Sequence, residues 1–503
     1  MIDSITTGAA DANFANRAFA MIRLTGRQHV SLREHLFRGD GCEAVALALC
    51  GRLAAPTGAP ASGGEILTVH KIELVPHEHC IKRTPERVRW PTDALPGLLE
   101  QAQKRGLTVL KIHGHPGGLR RFSRVDDDAD RELFAAVGVW LDDDRPHASA
   151  VMLPDGRIFA RSVAPSGATA TVPKVAVAGE EIQIWRWIDI VGSDASNATG
   201  PSDDRRGVPE FARRTAQAFG AGTTELLSRM TVAVVGCSGT GSPTIEMLAR
   251  LGVGVLVLVD PDRVDEKNLN RIYNATMTDA LTGEYKVDVL ARTVRATGLG
   301  TIVEPIPKDI FSAEVIRRLA RCDVVFGCMD SIDGRDLLNR LACFYNVPYF
   351  DVGVRLIADG EGGIDQICGT VHYLQPDGSS LLSRGAYTAE DVRAAATRRE
   401  NPAQYEVLRR EKYISGVQED RPAVISVNTL YASLAVNELL ARLHPYRDDG
   451  NSGFASFGMS LTQARLLHGD ESTPCPALSR YAGRGDLRPL LNMPELTESG
   501  AAF

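Results

Sequence analysis

Residues 231–260 read TVAVVGCSGTGSPTIEMLARLGVGVLVLVD, and this stretch decides the fold of the second half of the chain. Two almost continuous runs of β-branched and other apolar residues, 232–235 and 255–259, are typical of strands whose two faces are both covered. A helical stretch from Pro243 to Leu251 separates them, and a third apolar run follows at 324–327. This alternation predicts an α/β domain with a doubly wound, mostly parallel sheet of the Rossmann type.

The loop between the first strand and the first helix of this domain, residues 236–242, reads GCSGTGS. Glycines at such a position allow backbone amides and a helix N-terminus to approach phosphate groups. Ser238 stands where a dinucleotide-binding fingerprint has its middle glycine, and Asp260 supplies the acidic residue that the fingerprint expects further on. From this loop alone, a nicotinamide oxidoreductase is an alternative to an ATP-binding enzyme.

Residues further along favour ATP. Residues 260–271 read DPDRVDEKNLNR, Lys286 follows, and residues 327–335 read GCMDSIDGR. This set resembles the ubiquitin-activating enzymes and the bacterial sulfur-carrier adenylyltransferases of the ThiF/MoeB/HesA superfamily, over about residues 210–445. The resemblance implies that this domain uses ATP and Mg²⁺ to adenylate a C-terminal carboxylate, and that it works as a homodimer.

The resemblance also implies roles for individual residues. Asp260 would hold the ribose, Asp330 would hold Mg²⁺, and an arginine of the partner protomer would reach the site, with Arg214 preferred over Arg213. The phosphates would be contacted by the glycine loop and three polar side chains: Gly236, Gly239, Gly241, Asn268, Arg271 and Lys286.

Two cysteine features of many relatives are missing here. Residues 376–423, where a thioester cysteine often lies, contain no cysteine. Cys368, next to a glycine in a predicted strand, and Cys475, in a proline-rich polar segment, are the candidate thiols, although a core position is an alternative for both. Ser380, Ser383 and Leu478 stand at positions of the family's two Cys-x-x-Cys pairs, so we expect no structural zinc in this domain.

The first half of the chain has its own motif, because residues 113–126 read HGHPGGLRRFSRVD. Two imidazoles and a carboxylate are ligands that a catalytic zinc uses while keeping one position open. The stretch resembles the zinc signature of the JAB/MPN (JAMM) metalloproteases, which implies that His113, His115 and Asp126 bind Zn²⁺ and that Ser123 stabilises the oxyanion. Glu43, an acid at the start of an apolar strand, matches the family's general base, with Glu65 and Glu73 as competing acids. Asp127, Asp128 and Asp130 are expected to be solvated helix charges.

These motifs divide the chain into five predicted regions. They are a flexible N-terminus (1–19), a JAB/MPN-like α/β zinc protease domain (20–165), a linker with a short apolar segment (166–207), the adenylation domain (208–445) and a C-terminal extension (446–503). In 503 residues with a net charge of −7, there is no apolar run long enough to span a membrane and no secretory signal, and nucleic acid is not an expected partner. Nine scattered cysteines favour a reducing cytoplasm.

The combined expectation is a bifunctional bacterial-type enzyme of a ubiquitin-like protein pathway. It would adenylate the C-terminus of a ubiquitin-like protein and, as a zinc metallopeptidase of the deubiquitinase type, process or deconjugate that protein. A ubiquitin-conjugating-like enzyme would be a further partner if a thioester forms. One alternative is processing and adenylation of a sulfur-carrier protein without an enzyme thioester. The others are a non-catalytic binding module and a nicotinamide oxidoreductase.

Overall fold

The computed structural model describes residues 18–56, 63–192, 208–359, 361–410 and 423–497. Residues 1–17 of the predicted flexible N-terminus and residues 193–207 of the predicted linker lie outside this part. The chain divides into two compact units. One comprises Met1–Asp204, Phe344–Asn346 and Tyr481–Arg488, and the other comprises Arg205–Cys343, Val347–Arg480 and Pro489–Phe503.

The first unit is built on a mixed sheet of nine strands in the order β11-β10-β1-β3-β2-β6-β7-β8-β9. A separate hairpin, β4–β5, follows β3. The strands are β1 Phe19–Thr25, β2 Val45–Leu53, β3 Glu65–Leu74, β4 Lys82–Thr84, β5 Arg87–Arg89, β6 Thr108–Gly114, β7 His147–Met152, β8 Ile158–Val163, β9 Thr169–Val172, β10 Lys174–Ala178 and β11 Ile182–Arg186. The helices are α1 Gly26–Leu36, α2 Leu95–Arg105, α3 Arg124–Leu141 and α4 Trp187–Val191.

Alternate side chains of the central strands pack on opposite faces of this sheet. On one face, Ala46 and Ala48 of β2 join a buried cluster with Leu32 and Leu36 of α1. On the other face, Leu47 and Leu49 join residues of α2 and α3. The first unit is therefore an α/β layer structure in which α3 covers the face of β6 that carries the odd-numbered residues.

The sheet of the first unit continues beyond residue 165, where the predicted protease domain ends. Strands β9, β10 and β11 lie within the predicted linker 166–207, and β10 pairs with β1 in parallel. The apolar segment 182–191 forms β11 and α4 of this unit, and Ile190 is buried against Phe159 of β8. Ser166 and Gly167 in the turn before β9, Pro173 between β9 and β10, and Gly179 between β10 and β11 contribute to the linker-like composition of this stretch.

The second unit contains a sheet of eight strands in the order β14-β13-β12-β15-β16-β17-β18-β19. Its strands are β12 Thr231–Val235, β13 Val255–Val259, β14 Ile302–Ile306, β15 Val324–Gly327, β16 Tyr349–Ala358, β17 Ile364–Leu374, β18 Ser456–Ser460 and β19 Arg465–Gly469. Its helices are α5 Arg213–Arg229, α6 Gly241–Arg250, α7 Met277–Thr282, α8 Lys286–Ala296, α9 Ala313–Ala320, α10 Ile332–Tyr345, α11 Ala389–Glu400, α12 Pro402–Arg410 and α13 Ile425–Leu443.

The five strands β12 to β16 are parallel to one another, and the predicted Rossmann-like α/β fold of this half is confirmed. Their order, β14-β13-β12-β15-β16, reverses direction between β12 and β15. In such sheets, ligands bind at this switch point, outside the carboxyl ends of the strands. Strands β17, β18 and β19 add an antiparallel extension, so part of the predicted C-terminal extension 446–503 belongs to this sheet.

Within the described residues, no helix has the length and apolar character needed to cross a membrane.

Candidate functional sites

Three potential metal ligands converge in the first unit. His113, His115 and Asp126 are buried, and one donor atom from each lies within 4.8 Å of the others. The two Nε2 atoms are 3.1 Å apart. Asp126 Oδ1 lies 2.9 Å from His113 Nε2, and Asp126 Oδ2 lies 3.4 Å from His115 Nε2. Tetrahedral ligands at about 2.0–2.1 Å from zinc are separated by distances of this size.

Two secondary structure elements bring these side chains together. His113 occupies the end of β6, where it pairs with Val45 of β2 and Val151 of β7. His115 follows the strand, and its backbone amide donates to the Met152 carbonyl at 3.1 Å. Asp126 lies in the first turn of α3, where its side chain and that of Ser123 form a reciprocal capping box.

The hydrogen bonds of the histidines suit a metal site. His115 Nδ1 lies 2.8 Å from the Leu119 carbonyl oxygen, which can only accept, so Nδ1 donates to it and Nε2 faces the cluster. A backbone partner of this kind orients metal-binding histidines. Burial lowers the pKa of His113 despite its contact with Asp126. Burial acts in the same direction on His115, but its hydrogen bonds to Asp126 and to the Leu119 carbonyl outweigh burial and raise the pKa of this imidazole. Two imidazole nitrogens beside a carboxylate form a donor set that zinc accepts, and zinc would displace any proton held between them.

Glu43 is an acidic residue near the three candidate ligands, and it interacts electrostatically with His115 and Asp126. It is 5% exposed, and burial raises the pKa of its carboxyl group to about 7, although the nearby His115 acts in the opposite direction. The β4–β5 hairpin holds its backbone, because the Glu43 amide donates to the Thr84 carbonyl and Arg83 Nε donates to the Glu43 carbonyl. A carboxyl group with a pKa near neutrality is suited to accept and release a proton.

The competing acids have other partners. Glu65 forms an ion pair with Arg52 at 2.6 Å. Glu73 is half exposed and pairs with Lys71 at 3.2 Å. Of the three acids considered from the sequence, Glu43 is the one with the burial and surroundings of a general base.

Ser123 lies next to the ligands, with its hydroxyl engaged by the helix. Ser123 Oγ donates to Asp126 Oδ2 at 2.7 Å and accepts from the Asp126 amide at 3.2 Å. These bonds position the Asp126 carboxylate. The oxyanion role predicted for Ser123 stays a prediction.

The prediction that Asp130 is a solvated charge was wrong. It is 1% exposed and forms ion pairs with Lys111 and Arg161. Asp127 also pairs with Arg161, while Asp128 is an exposed charge beside Arg131. The sequence offered one usable signal, because Asp130 lies four residues after Asp126 and so faces the same side of α3.

In the second unit, the glycine loop leaves the end of β12 at the switch point. Gly236 has a φ of +87°, and a Cβ there would lie 2.7 Å from the Cys328 carbonyl oxygen beyond β15. A Cβ on Gly241, the first residue of α6, would lie 1.8 Å from the Gly236 carbonyl oxygen. Only glycine fits at either position, because a side chain would collide with these carbonyl oxygens. The two glycines allow a tight turn whose backbone a ligand can approach.

Asp260 and Lys286 lie beside this loop. Asp260 is 6% exposed, and its carboxylate accepts from the Cys237 amide at 2.7 Å and from the Asp262 amide at 2.9 Å. Burial raises its pKa, although Lys286 and these amides act in the opposite direction. Lys286 Nζ lies 3.8 Å from Asp260 Oδ1 and 2.7 Å from Asp262 Oδ2. A buried cation next to a glycine loop can bind phosphate.

The remaining predicted phosphate and magnesium residues are also in the second unit. Asn268 is buried and forms a capping box with Asp265. Arg271 is close to the loop, because a Cβ on Gly239 would lie 3.4 Å from Arg271 Cδ. Asp330 follows β15, is exposed, and makes no hydrogen bond or ion pair within the described chain. A free carboxylate at the strand end is a ligand that Mg²⁺ accepts together with phosphate oxygens.

The arginines predicted to reach a partner protomer are exposed at the start of α5. Arg213 forms an ion pair with Glu210 at 2.8 Å. Arg214 makes no hydrogen bond or ion pair among the described residues. It is therefore free to bind an anion, and its cross-protomer role stays a prediction.

The two candidate thioester cysteines differ in exposure. Cys475 is 2% exposed, and its amide donates to the Gly378 carbonyl, so a folded thiol at this position cannot reach a substrate without local opening. Cys368 is partly exposed in β17, between Arg355 of β16 and Ser460 of β18. The segment around Ser380 is closed by its own hydrogen bonds to Ser383.

Comparison with known proteins identifies relatives of this chain. The chain is 34% identical over 147 residues to the SAMP-activating enzyme E1 of Haloferax volcanii, a match that covers 29% of this chain and 50% of that protein. It is 30% identical over 135 residues to the ubiquitin-like modifier-activating enzyme 5 of Drosophila mojavensis, covering 24% of this chain and 33% of that protein. The chain thus spans half or less of the length of these two curated relatives.

Among solved structures, a crystal structure of E. coli MccB with succinimide aligns at a TM-score of 0.41 and 16% identity, over 54% of this chain and 74% of that chain. The family model described as the ThiF family matches residues 211–474. Since this match covers more than half of the sequence, the chain belongs to the ThiF family.

Proposed function

We propose that the second unit adenylates the C-terminal carboxylate of a ubiquitin-like protein. The observation that carries this proposal is the set of groups around the switch point of a ThiF-family sheet. A glycine loop, a buried Asp260–Lys286 pair and an unpaired Asp330 all lie at or just beyond the carboxyl ends of β12, β13 and β15. The names of the two curated relatives, both activating enzymes, support this substrate class.

The residues of this site suit the bonds that adenylation forms and breaks. A carboxylate oxygen of the substrate attacks the α-phosphorus of ATP, and the bond to the β-phosphate oxygen breaks as pyrophosphate leaves. Lys286 and Arg271 supply positive charge for the phosphate oxygens, and the loop amides donate to them. Asp330 would hold Mg²⁺, which balances charge on the departing pyrophosphate. Asp260 would orient the ribose, with Asn268 next to the phosphates.

We further propose that the first unit is a zinc-dependent peptidase of the JAB/MPN type. The observation that carries this proposal is the buried convergence of His113, His115 and Asp126 beside a high-pKa Glu43. Zinc would supply Lewis acidity toward the scissile carbonyl and toward water. Glu43 would take the proton of the attacking water and return one to the leaving amine. Ser123 would donate to the developing oxyanion, for which it must exchange its bond to Asp126.

The two activities fit one substrate. The peptidase would trim a precursor or remove the protein from its targets, and the adenylating unit would activate the exposed tail. In this scheme the enzyme is a homodimer in which Arg214 serves the partner's site. A ubiquitin-conjugating-like enzyme would be its downstream partner, and the reducing cytoplasm would be its compartment.

The sulfur-carrier alternative is favoured by one specific observation, the burial of Cys475. Together with the lack of a cysteine in residues 376–423, this leaves Cys368 as the partly exposed candidate for a thioester. A sulfur-carrier adenylate would accept sulfur without any enzyme thioester. The nicotinamide alternative gives no role to Asn268 or Arg271 and does not suit a ThiF-family chain.

A gel assay with pyrophosphate exchange distinguishes these possibilities. The protein is mixed with Mg-ATP and a mature ubiquitin-like protein from the same source, and the mixture is run with and without thiol reductant. Exchange with a reductant-labile adduct indicates a conjugation enzyme, and Cys368→Ser should then remove the adduct. Exchange without an adduct indicates sulfur-carrier adenylation. The absence of exchange would contradict the adenylation proposal and favour a non-catalytic binding module.

A further inference from the structure

A buried ionic cluster lies next to the metal-ligand set of the first unit. Lys111 Nζ lies 2.6 Å from Asp130 Oδ1, and the Lys111 and Asp130 side chains are 7% and 1% exposed. Arg161 of β8 donates to the other carboxylate oxygen, with Nη2 at 2.7 Å and Nε at 3.1 Å from Asp130 Oδ2. One carboxylate thus joins β6, α3 and β8.

This cluster is in register with the ligands. Lys111 and His113 are two residues apart on β6, which places them on the same face about 6.6 Å apart. Asp126 and Asp130 are four residues apart on α3, which places them on one side of the helix about 6 Å apart along its axis. The Lys111–Asp130 pair and the His113–Asp126 pair are therefore neighbouring bridges between the same strand and the same helix. Shifting α3 along β6 would break both bridges together.

Arg161 extends the support to the loop before the helix. Its guanidinium carbon lies 3.9 Å from the centroid of the Phe122 ring, and Phe122 directly precedes Ser123. Arg161 also forms an ion pair with Asp127, the neighbour of the ligand Asp126. Contacts of this residue therefore flank both members of the capping box that orients Asp126.

We propose that Lys111, Asp130 and Arg161 are positioning residues for the metal site, because they hold α3 in the register that brings the Asp126 carboxylate to His113 and His115. This inference deepens the proposed function, since it rests on the assignment of a metal site to those three ligands. A buried cluster of charges has a large desolvation cost and is a poor source of net stability. Its role as a register device explains why charged rather than apolar residues occupy these positions.

The effect of the cluster on metal affinity has an expected size. Loss of groups that orient metal ligands lowers metal affinity by about 10–100-fold. Lys111→Met removes one cation while Arg161 still pairs with Asp130. Arg161→Lys keeps a positive charge but loses the forked contact and the stacking on Phe122. The matched control is Glu65→Gln, which breaks the Arg52–Glu65 pair of similar length in the same unit, while Arg52 keeps its bonds to Thr108 and the Pro146 carbonyl.

The test uses the full-length metal-free protein with Zn²⁺ or Co²⁺ alone as the probe. Zinc dissociation constants are measured by competition with a chelator, and the visible d–d absorption of the Co²⁺ form reports the coordination geometry. Thermal unfolding is recorded for each variant, and binding is measured below its transition. Asp130→Glu serves as a conservative variant, because its carboxylate can still pair with both Lys111 and Arg161 from a longer side chain.

We expect Lys111→Met and Arg161→Lys to weaken zinc binding by about 10–100-fold and to change the Co²⁺ spectrum. The control Glu65→Gln should leave both the zinc affinity and the Co²⁺ spectrum unchanged, even where its Tm falls as much as that of the cluster variants. Unchanged zinc affinity and Co²⁺ spectrum in both cluster variants would overturn the inference. Equal weakening in Glu65→Gln would also overturn it, because the effect would then reflect stability alone. Failure of the wild-type protein to bind zinc would instead contradict the proposed peptidase site.

Discussion

Replacing Glu43 by glutamine should make the metal-free protein more stable at alkaline pH and should abolish the proposed peptidase activity. Glu43 is buried, and its pKa is raised from 4.5 to about 7. The pKa of this carboxyl group is higher in the folded protein than in the unfolded chain. Such a group adds to the free energy of unfolding, and this contribution is fully present below the pKa of the unfolded chain, here about 4.5. That contribution is lost as the pH rises through about 7. Above this range the charged carboxylate is held in a site that disfavours it.

The size of this loss follows from the pKa difference. A shift from 4.5 to about 7 corresponds to about 3.4 kcal/mol, at 1.36 kcal/mol per pKa unit. Solvent screening of the carboxylate reduces this to about 2 kcal/mol. Glutamine has nearly the same shape as glutamate and never ionises, so the Glu43→Gln variant avoids the loss. For a unit of this size, about 2 kcal/mol corresponds to about 4–8 °C in Tm.

The assay is thermal unfolding of the metal-free wild type and the Glu43→Gln variant at pH 4.5 and pH 8. The transition of the first unit is identified as the one that shifts when zinc is added. We expect similar Tm values at pH 4.5 and a higher Tm for the variant at pH 8. The control Glu73→Gln, at a half-exposed acid of β3, should show no such difference.

An equal or lower Tm for Glu43→Gln at pH 8 would refute the reasoning, because the carboxylate would then not be disfavoured in the folded state. Loss of a general base lowers turnover by about 10²–10⁴-fold. The variant should therefore bind zinc and fail to cleave. Lost zinc binding would make Glu43 structural rather than catalytic.

Three further substitutions test other parts of the two sites. His115→Ala removes a ligand and should lose one zinc per chain, measured by metal analysis, together with all peptidase activity; retained cleavage would refute the metal assignment. Asp330→Ala should abolish ATP–pyrophosphate exchange and leave cleavage intact, and loss of both activities would mean that the units are not independent. Gly236→Ala places a Cβ 2.7 Å from the Cys328 carbonyl at a positive φ, so it should destabilise the second unit by about 1–3 kcal/mol and prevent exchange. Its control, Gly298→Ala, has a positive φ but open space, and should cost about 1 kcal/mol without affecting exchange; equal effects of the two glycine variants would contradict a tight loop.

The convergence of the three candidate metal ligands was predictable from the sequence because these residues are close together in the chain. His113, His115 and Asp126 lie within fourteen residues of one another on one strand, one loop and one helix start, so spacing alone limits their arrangement. The glycine loop is similar, since a strand, a turn and a helix are consecutive. Strands β12, β13 and β15 were also predictable from short stretches of sequence, because each of them is an apolar run.

Pairing between distant segments was not predictable in the same way. Asp130 resembled its solvated neighbours because its partners, Lys111 and Arg161, lie on strands 19 and 31 residues away. Strands β9 to β11 are short and are separated by proline and glycine residues, so their sequence resembled a linker, and their place in the sheet depends on the pairing of β10 with the distant β1. Cys475 lies among polar residues in sequence, but its backbone bonds to Gly378, almost a hundred residues earlier, and the thiol is buried.

The measurement that tests the account most directly is pyrophosphate exchange with a precursor of the ubiquitin-like protein that carries extra residues after its tail. The precursor has no free tail carboxylate, so exchange requires cleavage by the first unit and adenylation by the second. We predict exchange by the wild type with both precursor and mature forms, and by His115→Ala with the mature form alone. No exchange by the wild type with the mature form, or equal exchange by His115→Ala with both forms, would contradict the account.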